Sequence, residues 1–156
     1  MLSNNLASWQ DDWLWGLPLV VLTIVVHVFG LGFISEVVTE PVQAAVRRRR
    51  PAASFAITMG VVALLVTLLH AIGGIAWAIV YYLLGALPDV RQAVLYSLSA
   101  VTAYGHTSLL LQPHWQLMGA LEALNGLILF GLTTAFMFAM IGRVWPDQLR
   151  ARRRYS

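Results

Sequence analysis

Apolar positions gather into three long stretches, Trp13–Val37, Phe55–Leu87 and Leu117–Val144. Each exceeds the ~20 residues a helix needs to cross a bilayer core. The second is long enough that tilt or projection beyond the lipid is expected. A fourth apolar stretch is shorter. Asp89 is a good N-cap after Pro88, and Val90–Thr102 then makes about 13 helical residues, ~20 Å at 1.5 Å each, too short to cross. The polar run Thr102-Ala103-Tyr104-Gly105-His106-Thr107-Ser108 follows, before a return to the surface near Pro113 and Trp115. A half-helix leading into irregular backbone predicts a re-entrant loop, which survives at membrane depth only inside protein or beside a watery cavity. A helix lying flat on the surface is the alternative.

Composition agrees with the pattern. Apolar residues are 59% and charged residues 11% of 156, with mean hydropathy +0.73. A soluble fold of this size cannot hide so much apolar surface, so lipid must solvate part of it. All ten basic residues are arginine: Arg47, Arg48, Arg49 and Arg50 lie between the first two spans, and Arg150, Arg152, Arg153 and Arg154 follow the third. The positive-inside bias puts both clusters in the cytoplasm, giving an outer N-terminus, three crossings and a plasma (inner) membrane protein. The same arginines suit anionic lipid headgroups. Nothing places a basic stripe across a folded face, which argues against nucleic-acid binding. The absence of cysteine excludes disulfides, thiolate metal sites and a Cys nucleophile. An N-terminus without a basic region, carrying Asp11 and Asp12, does not read as a cleavable signal peptide. Pro41 and Pro51 are expected to bracket the cytoplasmic loop and Pro146 to end the third span.

The order of span, short helix, loop and span carries further patterns. Tyr96-Ser97-Leu98 and Thr102 resemble the pore-helix pattern of potassium channels. Gly126-Leu127-Ile128-Leu129-Phe130-Gly131-Leu132-Thr133-Thr134-Ala135 resembles their bacterial inner-helix pattern, G-x-x-x-F-G-L-x-T-A. Leu121-Glu122-Ala123-Leu124-Asn125-Gly126 is similar to a bacterial branch that carries an extra N-terminal span. The resemblance covers about Ala93 to Gly142. It implies an all-α membrane protein with three transmembrane helices, a re-entrant pore helix and filter loop, and a homotetrameric pore. Residues 1–53 would then be the N-terminal segment, extra span and basic loop; 54–145 the pore domain; and 146–156 a short basic tail, too small for a sensor domain. One re-entrant loop cannot encircle an ion, so oligomerisation follows from geometry; the fourfold number follows from the resemblance.

The filter departs from the family's T-[VL]-G-Y-G-D. The ungapped register offers Ala103, Tyr104, Gly105, His106, Thr107 and Ser108; a gapped one makes Thr102 the filter threonine. The ungapped register is preferred, because a deletion removes an ion site from every subunit. A shorter or wider filter is expected, with weak selectivity among monovalent cations such as potassium and sodium, and no cofactor. Four copies of His106 swung toward the axis would form a ring able to bind zinc; otherwise His106 is a buried spacer.

Polar residues within the spans complete the candidates. Glu122 reads as a strut hydrogen-bonding backbone behind the filter, with an ion-contacting role as the alternative, and Asn125 as interhelical glue. Gly126 and Gly131 offer either flexibility or close packing, while Thr134 and Phe138 are expected at the inner pore, where four phenylalanines would gate by dewetting. His27 and His70 sit near the middle of the first two spans, as histidines hydrogen-bonded between helices, a proton relay or a metal site. Trp13, Trp15, Tyr81, Tyr82 and Trp145 read as interfacial belts. No nucleophile–base or paired-carboxylate constellation points to an enzyme. A non-conducting membrane scaffold is the competing reading.

Overall fold

The computed structural model describes residues 2–47, 51–105 and 109–153, and the regular structure among them is helical throughout. Helix α1 is Leu2–Arg47, α2 Pro51–Leu83, α3 Val90–Val101 and α4 Gln116–Arg153, with a single 3-10 turn, Pro113–Trp115, before α4. Three segments are long and apolar enough to cross a membrane: Trp9–Val38, Phe55–Leu83 and Pro113–Arg143. At 1.5 Å per residue α1 extends ~70 Å, about twice a hydrocarbon core, so its length exceeds what lipid alone can cover.

Two prolines do not end their helices, although among the described residues the segments long and apolar enough to cross a membrane stop before them, at Val38 and Arg143. The backbone stays helical through Pro41 as far as Arg47, and through Pro146 as far as Arg153. A proline removes one N–H from the ladder and crowds the preceding turn, but it need not stop a helix whose neighbouring bonds persist. Pro51 does open α2, where its fixed φ suits the first helical position. Helix α2 ends at Leu83, four residues before the end of the apolar stretch at Leu87. Gly85 adopts φ 66, Gly85 N–H donates to the Tyr82 carbonyl and Ala86 N–H to the Tyr81 carbonyl, and this left-handed cap terminates the helix.

The chain divides into two compact units. The first comprises residues 1–27 and 70–130. Its core is Leu19, Trp77, Ala78, Tyr81, Ala86, Leu87, Ala93, Leu111, Trp115, Met118 and Leu121. The second comprises residues 28–69 and 131–156, with a core of Leu31, Ile34, Val38, Val62, Val66, Leu69 and Met140. Among the described residues, every buried polar side chain belongs to the first unit: Asp12, Thr23, His27, Ser97, Ser99, Glu122 and Asn125. Buried polarity in so apolar a chain demands partners, which makes this unit the place to look for function.

Candidate functional site

Helix α3 is built as the sequence leads one to expect. Asp89 has extended backbone, its carboxylate accepts from Gln92 N–H at 2.8 Å, and Gln92 Nε2 donates to the other oxygen at 2.7 Å. That satisfies an orphan donor of the first turn and fixes the start. The helix ends one residue before the expected Thr102. Ala103 N–H donates to the Ala100 carbonyl and Tyr104 N–H to the Ser99 carbonyl, both at 2.9 Å. This is the same left-handed cap that closes α2, but the φ of 54 falls on Ala103 instead of a glycine. Gly105 is also left-handed, with φ 72.

The cap determines what the end of α3 can present. Ser99 O accepts from Tyr104 N–H and, at 3.3 Å, from Gly105 N–H. Ala100 O accepts from the N–H groups of Thr102 and Ala103, and Leu98 O accepts from Thr102 Oγ1 at 2.8 Å. The carbonyls of Leu98, Ser99 and Ala100 are therefore already hydrogen-bonded within the chain. Tyr104 is 81% exposed. His106, Thr107 and Ser108 lie outside the described residues, as does the zinc-binding ring expected of His106.

Two helices of the first unit grip α3. From α4, Glu122 is fully buried; it accepts the Tyr81 hydroxyl of α2 at 2.8 Å and is bonded to the Ser97 hydroxyl of α3. Ser97 Oγ also reaches the Gly74 carbonyl of α2 at 2.6 Å. One carboxyl thus joins three helices, through side chains where the strut reading expects backbone. Gly119, Glu122 and Gly126 recur at helical spacing along one face of α4. A Cβ at Gly119 would collide with the Tyr96 hydroxyl, and one at Gly126 with the Val101 carbonyl. Gly126 is thus a site of close packing, whereas Gly131 has open space around it. The Tyr81 and Tyr96 rings meet edge to face at 5.5 Å, adding to the grip.

Further polar pairs tie α1 to α4. Asn125 Nδ2 donates to Thr23 Oγ1 at 2.7 Å, and Thr23 donates to its own helix at Leu19 O. Asp12 accepts from Met118 N–H at 3.1 Å, so a carboxylate on α1 caps the first turn of α4. Trp77 Nε1 and Asn125 Oδ1 have no protein partner among the described residues. The rings of His27 and His70 lie 4.7 Å apart. In the second unit, Phe138 is 79% exposed, Thr134 is exposed, and Arg143 donates to Ser35 Oγ at 3.2 Å.

Several roles escape sequence reasoning. Tyr81 is fully buried, which corrects its reading as an interfacial belt residue; Tyr82, Trp13 and Trp15 remain exposed. One residue is a 100° turn of a helix, and nothing local separates Tyr81 from Tyr82. Asp12 and Gly74 give no motif signal, and the pattern that contains Ser97 does not name its partners, since these are distant in sequence. The chain matches no family model, no curated protein and no solved structure.

Proposed function

We propose that this chain is one subunit of a cation-conducting pore of potassium-channel type, with α3 as a re-entrant pore helix and Thr102–Ser108 as its filter loop. The observation that carries the reading is the seating of α3. A 12-residue helix, too short to span, is gripped through Ser97 and Glu122 by helices that are long enough. It ends in consecutive irregular residues with Tyr104 exposed. Four copies, arranged around one axis in the plasma (inner) membrane with both arginine clusters inside, would enclose a path that no single chain can form. Glu122 and Asn125 would hold the filter's frame. Thr134 and Phe138 would line the inner pore, and the arginines would hold anionic headgroups. The permeant ions would be potassium and sodium with little discrimination, since the family's carbonyl stack is not kept in the sequence.

A second reading has its own support. The carbonyls of Leu98, Ser99 and Ala100 are committed to the cap, which suits a scaffold that kept the channel arrangement and lost conduction. Two measurements separate them. Native mass of the purified protein in lipid nanodiscs should report four chains, and currents in a planar bilayer between potassium and sodium solutions should reverse within a few tens of millivolts of zero. A monomer without current would leave the scaffold.

A further inference from the structure

Beyond the pore reading, and independent of it, we propose that Arg143 anchors a lipid between α1 and α4, its guanidinium taking the phosphate of an anionic glycerophospholipid. Arg143 and its partner Ser35 both belong to the second unit. Arg143 Nη1 donates to Ser35 Oγ at 3.2 Å, so a residue of α1 fixes the direction of a guanidinium carried by α4. The apolar stretches of these two helices end at Val37 and Val144. The pair therefore lies within a turn of the end of both stretches, the level at which a spanning helix meets lipid headgroups.

The charge is left without a counter-charge. Arg143 is exposed, and no carboxylate among the described residues, Glu36 beside Ser35 included, lies within ion-pair distance of it. A guanidinium offers five N–H donors in a planar fork. Ser35 takes one of them on Nη1, and this is the guanidinium's one hydrogen bond among the described residues. The edge formed by Nε and Nη2 is left for another acceptor. Its two parallel N–H groups match two oxygens of a phosphate. Arginine clusters attract anionic headgroups by charge; a guanidinium held by a neighbouring helix adds direction.

Small residues leave room for the acyl chain. Gly32, one turn before Ser35 on α1, would meet nothing within 4 Å if it carried a Cβ. Ala139, one turn before Arg143 on α4, is exposed. Both lie on the apolar side of the guanidinium, where a lipid tail must run and a free phosphate would have no use for the space. The occupant is thus a lipid and not a soluble anion.

The test is native mass spectrometry of the full chain, released from detergent after addition of phosphatidylglycerol or phosphatidylcholine, whose choline already neutralises its phosphate. Wild type should retain phosphatidylglycerol about fivefold better than phosphatidylcholine. Arg143→Ala should lower that retention about fivefold, and Arg143→Lys, which keeps the charge and loses the fork, about threefold. Gly32→Leu should lower it too, by filling the place of the tail. Arg152→Gln, Arg153→Gln and Arg154→Gln combined should leave it within about twofold of wild type. Arg143 is exposed and Gly32 has open space around it, so these variants keep the fold. Unchanged retention in Arg143→Ala overturns the proposal, as does equal retention of the two lipids by wild type. Retention unaffected by Gly32→Leu, or lost only in the triple variant, overturns it as well.

Discussion

Glu122 is the residue whose replacement discriminates most sharply between a designed junction and incidental packing. Its carboxyl is fully buried, accepts from Tyr81 at 2.8 Å and is bonded to Ser97, whose hydroxyl also lies 2.6 Å from the Gly74 carbonyl. Ser97 has one hydroxyl proton and two oxygens to serve. The Gly74 carbonyl can only accept, so a proton on the Glu122 side completes the set, and a carboxamide can supply it. In Glu122→Gln the amide oxygen accepts from Tyr81 and the amide N–H donates to Ser97, so a cost below ~1 kcal/mol is expected. Glu122→Ala strands the Tyr81 hydroxyl, at ~1–3 kcal/mol, and opens a void worth ~1–2 kcal/mol more. The sum is ~2–5 kcal/mol. Reversible unfolding in mixed micelles, followed by circular dichroism and tryptophan fluorescence, measures both variants. Equal losses for Gln and Ala, or an Ala variant within ~0.5 kcal/mol of wild type, would refute the hydrogen-bond inventory.

Gly126→Ala should destabilise by ~1–3 kcal/mol, because its Cβ collides with the Val101 backbone carbonyl, which cannot swing aside; the same unfolding assay reads it. Ala103→Gly should do the opposite, relieving ~1 kcal/mol of left-handed strain at φ 54. A melting temperature that falls would contradict the cap. Asp12→Ala should cost ~1 kcal/mol by uncapping the first turn of α4 at Met118, and hydrogen exchange should rise there first. On the pore reading, Phe138→Ala should raise basal cation flux by wetting the inner path, and unaltered flux would place the limiting constriction elsewhere.

Much of the first unit was legible because local chemistry writes it. Asp89 announces the start of α3 as a cap, and its apolar run sets its length to within a residue. The three long helices follow from hydropathy. Their ends were less legible: proline at 41 and 146 marks a lost donor, yet the helices continue. Rotation about each helix axis was hidden for a physical reason. Lipid and protein interior are both apolar, so composition does not tell a lipid-facing leucine from a core one. Polar residues break that symmetry, and Glu122, Asn125, His27 and Asp12 are indeed buried. Their partners Ser97, Thr23 and Met118 come from other elements, and no pattern within one segment could pair them.

Whether copies of this chain conduct cations is read from cation flux across the membrane of sealed vesicles. Purified protein would be reconstituted into liposomes loaded with potassium and diluted into potassium-free buffer. A protonophore and a pH-sensitive dye would report the compensating proton entry. Proton uptake should run well above that of protein-free vesicles and persist when sodium replaces potassium. Uptake equal to that of protein-free vesicles for both ions, with insertion verified by protease protection, would contradict it.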